Sequence, residues 1–185
     1  MVLILVIGDL HIPTRAHQIP HQFKTLLVPG KIHYVLCTGN LCTKETFDFF
    51  KSIAPEVHVV KGEFDENTTY PEKKVVNIEG FRIGLCHGHQ IIPWGDRDSL
   101  GNLQRQMNCD MLITGHTHNF ESFEMNNKYF INPGSATGAF SPSNPNPVPS
   151  FLLLDVQGNN VSCFLYRLIN GEVKVDKSTY SRKDA

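Results

Sequence analysis

With 185 residues, 41% of them apolar and 19% charged, the chain has the make-up of one ordinary globular domain spanning 1–185, neither disordered nor fibrous. A formal net charge of -1 removes any electrostatic reason to expect binding to nucleic acid or directly to an anionic membrane. Five cysteines without paired spacing, and an apolar opening too short for a span and lacking a basic flank or cleavage site, predict a cytosolic domain with reduced thiols.

Residues 2–7 are continuously apolar, the pattern of a parallel strand covered on both faces. Pro20 opens a short helix over 21–28, with Phe23, Leu26 and Leu27 as its apolar positions and Pro29-Gly30 as its stop. A strand at 34–38 follows. Thr43 then caps a helix whose apolar spacing, Phe47, Phe50 and Ile53, runs to Pro55. A strand at 57–60 completes a β-α-β-α-β opening with right-handed crossovers. Residues 74–78 and 81–86, joined by Glu79-Gly80, read as a hairpin. Helical spacing at Leu100, Leu103 and Met107 marks 98–107, and 111–114 is a strand. Residues 121–124 and 129–132 flank a second hairpin turn. Four prolines and two asparagines make 141–149 a loop, after which 151–156, 161–168 and 173–180 are strands. An α/β front half and a β-rich back half predict two packed, mostly mixed β-sheets flanked by helices, a four-layer αββα sandwich.

Five apolar runs end within three positions of a metal-ligating residue: at Asp9 and His11, at Asn40, at Glu63, at His87 with His89, and at His116 with His118. In open α/β sheets, ligands gather outside the carboxyl ends of the strands, so these loops can deliver their side chains to one point. Asp9-x-His11 places a carboxylate and an imidazole on one turn for the same cation. Gly115-His116-x-His118 is expected to do the same with two imidazoles, the glycine giving backbone room. A single histidine after a strand is ordinarily a surface or hydrogen-bonded residue. The argument for metal rests on the coincidence across five loops. His17, His21, His33 and His58 have no partner spacing and read as structural or exposed.

These blocks resemble the calcineurin-like metallophosphoesterases, whose pattern runs D-x-H, G-D, G-N-H-[DE], a strand-end His and G-H-x-H. Asp9-x-His11, His87 and Gly115-His116-x-His118 match it, whereas Gly39-Asn40 replaces G-D and Gly62-Glu63-Phe64-Asp65 replaces G-N-H-[DE]. The resemblance implies that family's fold and a ligand set of Asp9, His11, Asn40, Glu63, His87, His116 and His118 for up to two Zn2+ or Mn2+ ions. The second-block Asp bridges two cations about 3.5–4 Å apart in two-metal sites. Asn40 offers only a neutral amide there, and Glu63 moves a carboxylate to the next block. Phe64 stands where a proton donor worth ~10²–10⁴ in rate is expected. The expectation is a degenerate site with no catalytic residue; the alternative is an active small divalent-metal-dependent phosphodiesterase.

Longer stretches, 36–43, 87–96 and 131–139, resemble the small-subunit family of retromer, a cytosolic coat on endosomes. That resemblance covers essentially the whole chain. It implies a scaffold in endosome-to-Golgi and endosome-to-plasma-membrane transport, cytoplasmic and held on endosome membranes only through the complex, with no metal required for scaffolding. The implied partners are the α-solenoid subunit, vacuolar protein sorting-associated protein 35, docked on the metal-site face, and the arrestin-like subunit within the same complex. Rab GTPase-activating regulators are implied on an opposite patch formed by Leu3, Leu26, Leu27, Leu153, Phe164, Tyr166 and Val175. By pattern alone those seven positions are core or half-buried residues. For docking, Ile91-Ile92-Pro93-Trp94 is an apolar segment close after His87 with the composition of an interface anchor, and burial of Trp94 in the core is the competing reading.

Overall fold

The structure, a computed structural model, describes residues 1–183. The chain runs β1 (Val2–Ile7), α1 (His21–Lys24), β2 (Tyr34–Cys37), α2 (Lys44–Ile53), β3 (Glu56–Val59), β4 (Lys73–Ile78), β5 (Phe81–Cys86), α3 (Arg97–Met107), β6 (Met111–Ile113), β7 (Phe120–Met125), β8 (Lys128–Pro133), β9 (Ser150–Gln157), β10 (Asn160–Ile169) and β11 (Glu172–Ser181). One sheet has the order β11-β10-β9-β1-β2-β3 and the other β4-β5-β6-β8-β7. Parallel pairing joins β1, β2 and β3 in the first sheet, and β5, β6 and β8 in the second.

Strand alternation produces the layers. Ile4, Val6 and Leu36 face inward and meet Ile83, Leu85, Met111 and Ile113 of the second sheet. Their neighbours Leu5, Ile7, Val35 and Cys37 face outward beneath Phe23 of α1 and Phe50 and Ile53 of α2. On the far side, Leu100 and Leu103 of α3 cover Leu112 and Phe130. The expected αββα sandwich is therefore the observed one. No helix among the described residues is long and apolar enough to cross a membrane. The cysteines at 37, 42, 86, 109 and 163 are all free and buried.

Local chemistry explains most of the boundaries. The β4–β5, β7–β8 and β10–β11 turns place Glu79 and Gly80, Asn126 and Asn127, and Asn170 and Gly171 at positive φ, as primed hairpin turns require. Asp96 caps α3 by accepting the Ser99 N–H at 2.9 Å, two residues ahead of the predicted start, and left-handed Asn108 ends it. Thr43 occupies the predicted cap of α2, but its hydroxyl pairs with that of Thr46 at 3.2 Å instead of with a backbone amide. The first helix is shorter than the predicted 21–28. One turn gains little from its own hydrogen bonds, so the helix ends at Lys24 and passes into a turn at Thr25 and Leu26, with Leu27 beyond it still buried.

Candidate metal centre

The parallel strands β1, β2 and β3, together with β5 and β6, end at the same edge of the sandwich. The loops that follow them carry Asp9 and His11, Asn40, Glu63, His87, and His116 and His118. Asp9, His11, Asn40, His116 and His118 all have left-handed backbones, with φ between 48° and 74°. Only a few per cent of non-glycine residues adopt this conformation, with Asp, Asn and His among the most tolerant, and such residues collect at functional sites. The loops are also crowded. A Cβ on Gly115 would lie 2.9 Å from Asp9 Oδ2, and one on Gly62 would lie 2.2 Å from Asn40 Oδ1.

The donors form two clusters. Asp9, His11 and His118 are buried together, whereas Glu63, His87 and His116 form a more open group. The two imidazoles of the G-H-x-H block, expected on one cation, thus separate. His118 Nδ1 is held by the Ala139 carbonyl at 2.6 Å. His116 turns the other way, with Nδ1 3.7 Å from Glu63 Oε2 and its ring edge-on to Trp94 at 4.4 Å between centroids.

Asp9 lies between the clusters. Its Oδ2 accepts the His116 backbone N–H at 2.8 Å. Its Oδ1 is fully buried and has no hydrogen-bond partner. It lies 3.6 Å from His118 Nε2, 3.8 Å from His87 Nε2 and 4.0 Å from His11 Nε2. An orphaned carboxylate oxygen facing three imidazole nitrogens is unfavourable by itself and fits a divalent cation. The backbone contacts set the tautomers to suit. Nδ1–H of His87 donates to the Thr38 carbonyl at 2.7 Å and that of His118 donates to Ala139, which turns both Nε2 lone pairs inward. His11 Nε2 then donates to His118 Nε2 at 3.2 Å, and that proton must leave before both nitrogens can face one ion.

Burial also controls the charges. It raises the Asp9 carboxyl to about 6, opposed by nearby His118. It lowers His11 to about 3, assisted by the neighbouring His118. Burial likewise holds His87, His89 and His116 below the ordinary histidine value. At neutral pH these four imidazoles therefore keep their lone pairs.

Asn40 reaches the site differently from the expectation of a ligand. Its Oδ1 accepts the Phe64 N–H at 2.9 Å, so Nδ2 is the atom that faces His87 Nε2, at 3.1 Å. In this placement the Asn40 atom that faces His87 is a hydrogen-bond donor and offers no lone pair to a cation. Phe64 fills the proton donor's place with a half-exposed ring, edge-on to His11 at 5.5 Å and beneath the Arg15 guanidinium at 4.9 Å. Glu63 is the second cluster's carboxylate.

The site opens into a cavity of about 160 Å³ lined in part by Arg15, Phe64, Trp94, Ser141 and Pro142. Of its lining residues Phe64 and Trp94 are each about half exposed, while Ile92, 79% exposed and two residues before Trp94, borders a separate groove with Gln90, Ser99 and Asn102. The core reading of Trp94 fails: its indole N–H donates to the His89 carbonyl at 3.3 Å while its ring walls the site. Ile91, grouped with the docking segment, is buried against the α3 side of the second sheet and anchors the segment instead of presenting it; Pro93 is exposed.

Several supporting residues lie outside the ligand set read from the sequence. Asn132 donates to the Gly115 carbonyl at 3.1 Å, and Ser135 to the Asp9 carbonyl at 2.7 Å. Thr137 donates to the Leu10 carbonyl at 2.7 Å. Asn144, in the proline-rich loop, donates to the His118 carbonyl at 3.3 Å. Asp65 accepts three backbone amides, from Asn40, Cys42 and Gly62. For residues 132–137, the sequence N-P-G-S-A-T directly after an apolar run is the cue, because small polar residues there can brace neighbouring loops.

The seven positions of the opposite patch lie on or beside the outer face of the first sheet. Leu3, Leu153 and Tyr166 pack partly buried against the core under α1, and Leu27 is fully within it. Phe164 pairs with Leu153 across β9 and β10, and Val175 pairs with Tyr166 across β10 and β11. Leu26 and Val175 are the exposed members.

The profile of the calcineurin-like phosphoesterase superfamily domain matches residues 2–159. Vacuolar protein sorting-associated protein 29 of Schizosaccharomyces pombe is 39% identical over 187 residues, covering 99% of this chain and 100% of that protein. Among solved structures, the wild-type Vps29 of Entamoeba histolytica complexed with Zn2+ is 53% identical with a TM-score of 0.93, covering 97% of this chain and 100% of that one. Vps29 of Cryptosporidium parvum is 46% identical with a TM-score of 0.94, covering 97% and 98% of the two chains. The αββα fold agrees with this kinship, and the chain belongs to the vacuolar protein sorting-associated protein 29 family of the calcineurin-like phosphoesterase superfamily.

Proposed function

We propose that the chain is a non-catalytic scaffold subunit of retromer, working in the cytoplasm on endosome membranes in endosome-to-Golgi and endosome-to-plasma-membrane transport. It docks its metal-site face on the α-solenoid subunit, vacuolar protein sorting-associated protein 35. Rab GTPase-activating regulators join at the opposite patch, and the arrestin-like subunit is a partner within the complex. The observation that carries this reading is the apolar surface of the site loops: Phe64 and Trp94, each about half exposed, wall the metal-site cavity, and Ile92, 79% exposed, stands two residues before Trp94. Apolar side chains in loops that bury nothing of their own are interface anchors.

The donor set fits Zn2+ or Mn2+. Asp9, His11 and His118 would hold one ion, and Glu63, His87 and His116 would hold a second. Such ions supply Lewis acidity and an acidified water when bound. The chain's own residues do not complete a hydrolase around them. Asn40 turns an amide nitrogen toward the site in place of a bridging oxygen. Phe64, where the family has its proton donor, cannot protonate a leaving group. The site is therefore kept as part of a binding face, with no metal required for scaffolding.

The test is co-purification of Ile92→Asp with the solenoid subunit, which is expected to be lost while the protein stays folded; undiminished binding would sink this placement of the interface. In parallel, an aryl phosphodiester with excess Mn2+ is expected to show no turnover that Asp9→Ala removes. Turnover abolished by Asp9→Ala would instead establish a phosphodiesterase.

A further inference from the structure

Asp65 is buried and lies two residues beyond Glu63. Its Oδ2 accepts the backbone N–H groups of Asn40 at 2.9 Å and Gly62 at 2.7 Å, and its Oδ1 accepts that of Cys42 at 2.9 Å. Two of these donors belong to the loop after β2 and one to the loop after β3, so a single carboxylate joins two ligand-bearing loops. Asn40 and Cys42 are both left-handed, with φ of 54° and 73°. Cys42 has none of the side-chain chemistry that eases that conformation in Asn or Asp, and its N–H is held by Asp65.

The consequence falls on one half of the site. Glu63 is bracketed by fixed backbone: the Gly62 N–H goes to Asp65, the Phe64 N–H goes to Asn40 Oδ1, and the Asp65 N–H returns to the Gly62 carbonyl at 3.5 Å. Asn40, whose own N–H ends on Asp65, carries the amide that faces His87 Nε2. Both approaches to the Glu63–His87–His116 cluster therefore pass through this carboxylate. The Asp9–His11–His118 cluster has anchors of its own in Ala139, Ser135 and the His116 amide. The β1 loop meets the Asn40 loop through backbone bonds to the carbonyls of Gly39 and Asn40 and an isolated bridge between Ile12 and Cys42, none of which uses the Asp65 carboxylate.

We infer that Asp65 is the positioning residue of this site, a clasp that fixes the loops after β2 and β3 and thereby sets the Glu63 half for a cation. This rests on the metal-centre reading, and the test separates the two.

Metal-free wild type, Asp65→Asn, Glu63→Gln and Asp9→Ala are titrated with Co2+ and followed by visible d–d absorption. Asp65→Asn keeps the shape but presents donors to donors. It is expected to weaken Co2+ binding by ~10–100-fold and to reproduce the spectrum and residual affinity of Glu63→Gln, not those of Asp9→Ala. A merely structural role would lower the melting temperature and leave the Co2+ isotherm superimposable on that of wild type, which would overturn the proposal. A loss pattern matching Asp9→Ala would also overturn it. Amide hydrogen exchange on metal-free wild type decides the clasp without any variant: the Asn40, Cys42 and Gly62 amides are expected to be strongly protected, and rapid exchange at any of the three would count against it. If wild type takes up no Co2+, the metal reading fails, and the exchange experiment still judges the clasp.

Discussion

The two ends of β1 present opposite arrangements of the same materials. Beyond its carboxyl end, polar side chains are buried on irregular loops and apolar ones, Ile92 and Trp94 foremost, stand exposed. Near its amino end, about 20 Å away for six residues at ~3.3 Å each, Leu3 and Leu153 lie on a regular sheet and merge into the core beneath α1. At the site end, exposure is detached from folding, so a surface change there reports on binding. At the patch end, the apolar surface is the margin of the core, and a change there reports on both.

That contrast can be tested in descending order of effect. Asp9→Ala removes the carboxylate between the clusters and should reduce Zn2+ affinity by more than about 100-fold, a larger loss than is typical for residues that merely support a ligand; calorimetric titration giving an unchanged constant would mean that the donors act independently. Leu153→Asp places a charge at the core margin and should destabilise the protein by about 2–3 kcal/mol, a melting-temperature drop of roughly 4–12 °C for a domain of this size. By comparison, Ile92→Asp should stay within about 0.5 kcal/mol of wild type, and equal drops for the two would erase the distinction.

Acidification supplies the subtlest comparison. His11 falls to about 3 in the folded, metal-free protein, and His87, His89 and His116 are lowered too, so the unfolded chain takes up their protons first. Their contribution is present above the ordinary histidine value of 6.5 and is lost as pH falls below it. Asp9, raised to about 6, acts with the opposite sign, adding stability as pH falls from 6 toward 3.8. Four imidazoles outweigh one carboxylate, so the metal-free melting temperature should decline from pH 7 to pH 5. A flat profile would mean that those rings are solvated.

Much of the site was legible because strand ends are easy to read. Continuous apolar runs mark parallel strands buried on both faces, and Asp, Asn or His directly after them tolerates the left-handed turn that brings a side chain back over the sheet edge. What stayed hidden depended on which atom faces where. Nothing in G-H-T-H says that its two imidazoles diverge, since the Ala139 carbonyl that captures His118 arrives from 21 residues later in the chain. The orientation of Asn40 is set by the amide of Phe64, a backbone group without a sequence signature. Asp65 matched the acidic position of the G-N-H-[DE] block, but nothing in that block says that its carboxylate accepts three backbone amides. Ile91 and Ile92 are identical in type, yet one is buried and the other is 79% exposed, because only one of them faces the second sheet.

The divergence of His116 and His118 has a mechanical meaning. The two imidazoles belong to different clusters but are joined by a single residue, Thr117, so covalent geometry limits how far the clusters can separate. Sliding between the two sheets would tilt this short ruler without lengthening it. A partner resting on this face would therefore meet two donor clusters tied to each other through a single residue.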